Sequence, residues 1–103
     1  MRVVFSDEAK AGLREIALYI ARDNRARAQS FSRALRLAAM EVGVQPRAFP
    51  IVARYAGGET RRKAWRDYLI FYRINRDTVT IIDIQHGARD YSALLLPESQ
   101  LDD

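Results

Sequence analysis

The chain has no cysteine, which excludes a disulfide framework and any zinc site built on thiolates. It has one histidine, too few for a multi-histidine metal centre, and its carboxylates are scattered. No metal and no cofactor is expected. Long apolar runs are missing as well. The opening Met1-Arg2-Val3-Val4-Phe5 is apolar only briefly and carries a charge, so it does not read as a secretory leader. No segment nears the roughly 20 residues that a membrane-spanning helix needs. A cytoplasmic protein without membrane contact is the expectation. Repeats, linkers and low-complexity stretches are also missing. The 103 residues make one domain with a modest core, for which help from a partner would matter.

Arginine is what the chain has in quantity: fifteen, against two lysines, within a net charge of +4. The planar guanidinium suits bidentate contacts to carboxylate or phosphate and stacks on rings. The charge is also polarised, because residues 91–103 carry three acids and no base. A basic body with that composition attracts an acidic partner, either nucleic acid or an acidic protein segment.

Met1 to Phe5 reads as a short strand. Ser6 is a good helix N-cap, and Asp7 and Glu8 sit where the helix dipole favours negative charge. Leu13, Ile16, Ala17 and Ile20 recur at helical spacing, which predicts an amphipathic helix to about Arg22. Asp23-Asn24 breaks it and can cap a second helix, with Phe31, Leu35, Ala38 and Val42 on one face and Arg27, Arg33 and Arg36 elsewhere around it. Gly43 and Pro46 stop that helix. Two helices so closely joined make an antiparallel hairpin.

Residues 45–59 form the loosest region, interrupted by Pro46, Pro50, Gly57 and Gly58, with Ile51-Val52 as an anchor to the core. Three strands follow, at about 60–66, 67–74 and 78–86, the last two linked tightly through Asn75-Arg76-Asp77. A short helix or edge segment is expected over 90–96, ending at Pro97. The order β-α-α-β-β-β predicts an α+β fold: an N-terminal helical hairpin packed on a small, mainly antiparallel sheet. Strand alternation places Tyr68, Ile70, Tyr72 and Ile74 on one face, opposite Leu69, Phe71 and Arg73. In the last strand Thr80, Ile82, Ile84 and His86 alternate with Val79, Ile81, Asp83 and Gln85. Both faces hold apolar residues, so the pattern does not say which meets the helices.

Three pieces taken in order, Glu15-Ile16-Ala17-Leu18-Tyr19-Ile20, Tyr68-Leu69-Ile70-Phe71-Tyr72-Arg73 and His86-Gly87-Ala88-Arg89-Asp90, resemble the ParE branch of the RelE/ParE toxin superfamily of bacterial toxin–antitoxin systems. The resemblance runs from the opening strand to Leu95. It implies a single toxin domain over residues 1–97, with 98–103 a flexible acidic tail. It also implies a toxin of a type II system, of the kind tied to plasmid or chromosome stabilisation. Its partner would be a cognate antitoxin, with a DNA-binding dimerisation part and a flexible, often acidic C-terminal segment that folds on the toxin. The two would form a hetero-oligomer and meet DNA only through the antitoxin. ParE-type members are associated with inhibition of DNA gyrase, whereas RelE-type members cleave messenger RNA on the ribosome.

The two branches call for different residues. A nuclease needs a proton relay near a ribose hydroxyl and cations for the developing phosphorane charge. His86, Arg66, Arg73 and Tyr91 are the candidates for that chemistry, although the chain continues through Gly87-Ala88-Arg89-Asp90 as ParE-type chains do. A gyrase inhibitor needs only a binding face, for which Arg61, Arg62, Lys63, Arg66, His86 and Arg89 are the candidates. Antitoxin contact is expected from Leu13, Ile16, Tyr19, Ile20, Trp65 and Tyr72. Each has a plainer alternative. His86 can cap a strand end by bonding a backbone carbonyl or Asp90, the basic cluster can be a solvated strand face, and Arg89-Asp90 can be a local ion pair. Tyr68, Phe71 and Tyr72 can be sheet packing, the Leu13/Ile16/Ile20 stripe can be core, and Leu94-Leu95-Leu96 can pack back on the sheet or stand as an apolar patch. A toxin without activity, kept as co-repressor with its antitoxin, is the third reading.

Overall fold

A computed structural model of the chain describes residues 1–88. The expectations for Arg89, Tyr91, the element over 90–96 and the tail lie outside the described residues.

Strand β1 (Arg2–Phe5) leads into α1 (Asp7–Ala21) and α2 (Arg25–Met40), which ends in a 3-10 turn at Glu41–Gly43. Strands β2 (Ile51–Tyr55), β3 (Gly58–Trp65), β4 (Tyr68–Asn75) and β5 (Thr78–His86) follow. The five strands form one sheet in the order β1-β5-β4-β3-β2. β1 runs parallel to β5, and the other neighbours are antiparallel. The fold is thus α+β, with a helical hairpin on one face of a mainly antiparallel sheet.

Both helix starts are made by the expected caps. Ser6 Oγ accepts from the Ala9 amide at 3.1 Å, and Asn24 Oδ1 accepts from the Arg27 amide at 3.0 Å. Such caps contribute about 1 kcal/mol each. β2 is an addition to the expected order. Its sequence falls between Pro50 and Gly57, and its pairing with β3 shifts register between Ile51 and Ala53. An edge strand with one partner needs little periodicity to form, so the proline- and glycine-flanked segment reads as loop from sequence.

The face that meets the helices is set by register. Across β3 and β4, Arg61 pairs with Tyr72, Lys63 with Ile70 and Trp65 with Tyr68. These six residues therefore share the helix-side face. β5 breaks simple alternation: Phe71 pairs with Asp83 but Tyr72 pairs with Ile81, so a bulge at Ile82 shifts the phase. Val79 and Ile81 before the bulge, and Ile84 and His86 after it, consequently face the same way. The groups freed by the bulge find local partners. Ser6 donates its amide to the Ile81 carbonyl and its hydroxyl to the Ile82 carbonyl, both at 2.9 Å, and Asp83 Oδ1 accepts from the Ile84 amide at 2.8 Å. One serine thereby caps α1 and ties it to β5. Gly12 completes the contact, since a Cβ there would stand 2.8 Å from the Ile84 carbonyl oxygen.

Leu35, Val42, Ile70, Tyr72, Val79 and Ile81 are fully buried in the core between the layers, joined by Ala9, Leu13 and Phe31. Truncating Leu35 to Ala costs about 2–5 kcal/mol. Leu13 and Tyr72 belong to this core, which corrects their assignment to a partner surface: Leu13 is 5% exposed and Tyr72 0%. The Tyr72 hydroxyl donates to the Pro46 carbonyl and so fastens the segment after α2.

Candidate functional site

The chemistry-bearing residues were expected to gather on one basic strand face. Strand geometry divides them instead. Arg61, Arg62 and Lys63 are consecutive in β3, so Arg62 points away from the helices while its neighbours point toward them.

Arg61 and Lys63 are occupied by the fold. The Arg61 side chain is 13% exposed and donates to the carbonyls of Arg47 at 3.1 Å and Phe49 at 2.8 Å, and to Glu59 at 3.3 Å. The Lys63 ammonium, on an 11% exposed side chain, donates to the Ala38 carbonyl at 2.8 Å and reaches Glu41 at 3.4 Å. α2 has no basic residue in its own last turn, so Lys63 supplies from β3 the cation that the helix C-terminus favours. These two residues hold the end of α2 and the loop after it on the sheet. The solvated-face reading fails for both, as does their place in an open target-binding patch.

The remaining candidates converge at the opposite end of the sheet, around the β3–β4 turn. Phe31 of α2 packs edge-on against Trp65 and Tyr68, with centroids 5.4 and 5.5 Å apart. Tyr68 in turn meets the His86 ring at 5.3 Å. Arg66 occupies the turn with a left-handed φ of 53° and lays its guanidinium over Trp65 at 4.4 Å and Phe31 at 5.4 Å. Arg27 adds a second cation 5.8 Å from the Phe31 ring. Phe31, Tyr68 and Arg27 are the members that sequence reasoning left out. Phe31 was counted as core and Tyr68 as sheet packing, and each also forms part of this row. Burial raises the Tyr68 phenol above its ordinary 10.0, and Asp67 and Tyr19 push it the same way.

Beside this row lies a cleft of about 380 Å³ between α1 and the ends of β4 and β5. Glu15, Ile16 and Tyr19 line one wall; Tyr68, Gln85 and His86 line the other. Two antitoxin candidates thus share a cleft with the histidine. Tyr19 is 68% exposed at the rim. Ile16, Ile20 and Trp65 are half-buried.

His86 is exposed, and its Nδ1 accepts from the Ala88 amide at 3.1 Å. The ring therefore closes the turn after β5 by accepting from a backbone N–H, rather than by donating to a carbonyl. Arg73 cannot join it in a catalytic set. Arg73 lies on the other sheet face, bonded through Nε to Thr60 Oγ1 at 3.1 Å and stacked 4.2 Å from the Tyr55 ring. It is also five residues along β4 from the partner of His86, or about 17 Å at strand spacing.

No helix among the described residues is long and apolar enough to cross a membrane. No curated protein matches the chain. A solved structure described as the chromosomal ParDE TA system from P. aeruginosa shares the fold with a TM-score of 0.67, at 15% identity, over 84% of this chain and 95% of that one. A likeness at that identity concerns architecture alone. The sequence evidence is more specific: the family model for the ParE toxin of type II toxin-antitoxin system, parDE, matches residues 3–91. With the helical hairpin, the sheet and the ordered strand motifs in place, the chain belongs to the ParE toxin family of type II toxin–antitoxin systems.

Proposed function

We propose that this ParE-family chain acts by binding DNA gyrase and inhibiting it, and that a cognate antitoxin neutralises it in the cytoplasm. The observation that carries this reading is that the described nuclease candidates do not form one reacting centre. His86 spends Nδ1 on a backbone amide, Arg73 lies on the far face, and Arg66 is stacked on Trp65 and Phe31. A phosphoryl-transfer centre needs its base and cations within reach of one reacting atom. What stands exposed is a ring-and-cation surface suited to protein contact, with Arg66 and His86 as the target-binding candidates on it, while Arg62 lies on the other face of the sheet. Arg61 and Lys63 drop out of that role, being committed to the interior.

The test adds the purified chain to a gyrase supercoiling reaction and, in parallel, to ribosomes programmed with messenger RNA. Loss of supercoiling with linearised DNA and intact message is the expected result. Cleaved message beside normal supercoiling would overturn it in favour of ribosome-dependent nuclease action. An effect in neither assay would leave gyrase untouched and equally overturn the proposal.

A further inference from the structure

The cleft beside His86 has the wrong charge for this protein. The chain as a whole is basic, at +4, yet no arginine or lysine is among the described residues that line the cleft. Glu15 is its one formal charge. That carboxylate is exposed, and ion pairs among the described residues involve Glu41 and Glu59 instead, so Glu15 is unpaired among them.

A second observation points the same way. Burial raises both Tyr68 and Tyr72, but neighbouring charges act on them oppositely. Arg61 lowers Tyr72, whereas Asp67 and Tyr19 raise Tyr68 further. The field at the Tyr68 end of the sheet is thus negative. The polar groups there accept as well. Gln85 donates its amide N–H to Asp83 at 2.6 Å, which leaves its carbonyl oxygen as an acceptor. Around these acceptors stand rings. Tyr68 and His86 meet edge-on at 5.3 Å, and Tyr19 rises 68% exposed at the rim. Tyr19 already draws a cation: the Arg22 guanidinium lies 5.9 Å from its centroid, although Arg22 does not line the cleft.

Rings, a carboxylate and an amide oxygen, with no cation among them, form a receptor for a positive group. The cleft, at about 380 Å³, holds more than an ammonium ion. A guanidinium can lie flat on a ring while its fork meets a carboxylate, and an alkyl stem suits the apolar Ile16 and Ile84 walls. Tyr68 also abuts Phe31 of the aromatic row, so the cleft is continuous with the surface offered to the target. That continuity favours a side chain of a protein lying across the row over a free cation.

We propose that this cleft is the anchor pocket for one arginine of the target protein, held by the Tyr19 and Tyr68 rings and the Glu15 carboxylate. The proposal rests on the gyrase reading above for its partner and names the group of that partner which the cleft takes.

The test has two arms. In the first, the isotope-labelled full chain is titrated with N-acetyl-arginine methylamide, and amide shifts are followed at Gly12, Tyr19, Gln85 and His86. Its uncharged isostere, N-acetyl-citrulline methylamide, is the control. Saturable binding of the arginine amide is expected, weakened about 10-fold by Glu15→Gln and about 10-fold in the citrulline amide. Equal binding of the two amides, or no shift at these residues, would overturn the pocket. An equally tight lysine amide would overturn the choice of arginine. Binding seen only in an Arg89→Gln variant would overturn the external occupant, since Arg89 of this chain, three residues after His86, would then fill the cleft.

The second arm compares wild type, Glu15→Gln and Glu15→Arg in the gyrase supercoiling reaction, with thermal melts to confirm that the exposed position tolerates each change. Inhibition should weaken about 10-fold in Glu15→Gln and about 100-fold in Glu15→Arg. Full inhibition by a folded Glu15→Arg variant, beside arginine-amide binding by the wild type, would overturn gyrase's arginine as the occupant. No inhibition by a wild-type chain that still binds the amide would overturn the gyrase reading alone and leave the pocket in place.

Discussion

Two arginine-rich regions of this molecule look alike in sequence and behave oppositely in the fold. In β3, Arg61 and Lys63 turn inward and end on backbone carbonyls, Lys63 at the close of α2 and Arg61 in the loop that follows it. On the hairpin, Arg14, Arg25, Arg33 and Arg36 surround a groove of about 690 Å³ between α1 and α2 that no acidic residue lines. The difference lies in what each region must satisfy. A helix C-terminus and the loop after it present carbonyls without secondary-structure partners, and a nearby cation is drawn into them. The flank of a helix has no such backbone groups, so its charges remain available for a partner. A basic cluster is evidence of recognition only after the fold's own acceptors have been counted.

The largest effect that would break this comparison comes from Arg61→Met. It removes charge-assisted bonds to two carbonyls on a side chain largely shielded from water, and should lower stability by about 3 kcal/mol in urea unfolding. A change under about 0.5 kcal/mol would mean that the inward arginine is as dispensable as a surface one. Lys63→Met should cost less, about 1–2 kcal/mol, through one carbonyl and the favourable dipole contact. The outward set should show the opposite sign. Arg25→Glu places an anion in the first turn of α2 and should stabilise the free chain by about 0.5 kcal/mol, read from the shift in denaturant midpoint. A clear destabilisation would remove the contrast between the regions.

The smallest effect concerns pH. Tyr68 and Tyr72 both titrate above the ordinary tyrosine value of 10.0, each chiefly through burial, although Arg61 lowers Tyr72 somewhat. Below pH 10 both phenols are neutral in folded and unfolded chains alike and contribute no slope. Above it the unfolded chain releases these protons first, so stability should fall as pH rises through the alkaline range. Replacing Tyr68 with Phe should flatten part of that fall, and an unchanged alkaline slope would show that Tyr68 is not its source.

The helices were legible because their signals are local. Ser6 and Asn24 cap where they were expected to, and the Leu13/Ile16/Ile20 stripe turns toward the sheet. The last three strands fell within two residues of their expected bounds. Three things stayed hidden, each for a physical reason. β2 has one partner and so needs little pattern of its own. The bulge at Ile82 changes the phase of β5 without any mark in its run of apolar residues, which is why Ile81 and Ile84 face the core together. Burial then sent Leu13 and Tyr72 into the core and Arg61 and Lys63 onto carbonyls, a division that depends on neighbours brought in from α2 and the loop after it. The aromatic row joins residues from α2, the β3–β4 turn and the end of β5, and no spacing in one segment announces it.

One connection bears on how the protein is made. β1 lies at the edge of the sheet and pairs in parallel with β5, so Val3 meets Val79 and Ser6 bonds Ile82 across 76 positions of sequence. Gly43 admits β1 closely, since a Cβ there would stand 2.5 Å from the Met1 carbonyl oxygen. Pairings of such long range form late and slowly. During translation the first strand emerges from the ribosome well before β5, its sheet neighbour among the described residues. Each nascent chain thus passes through an interval in which its helical hairpin can form while its sheet is still open at the strand that the N-terminus will complete.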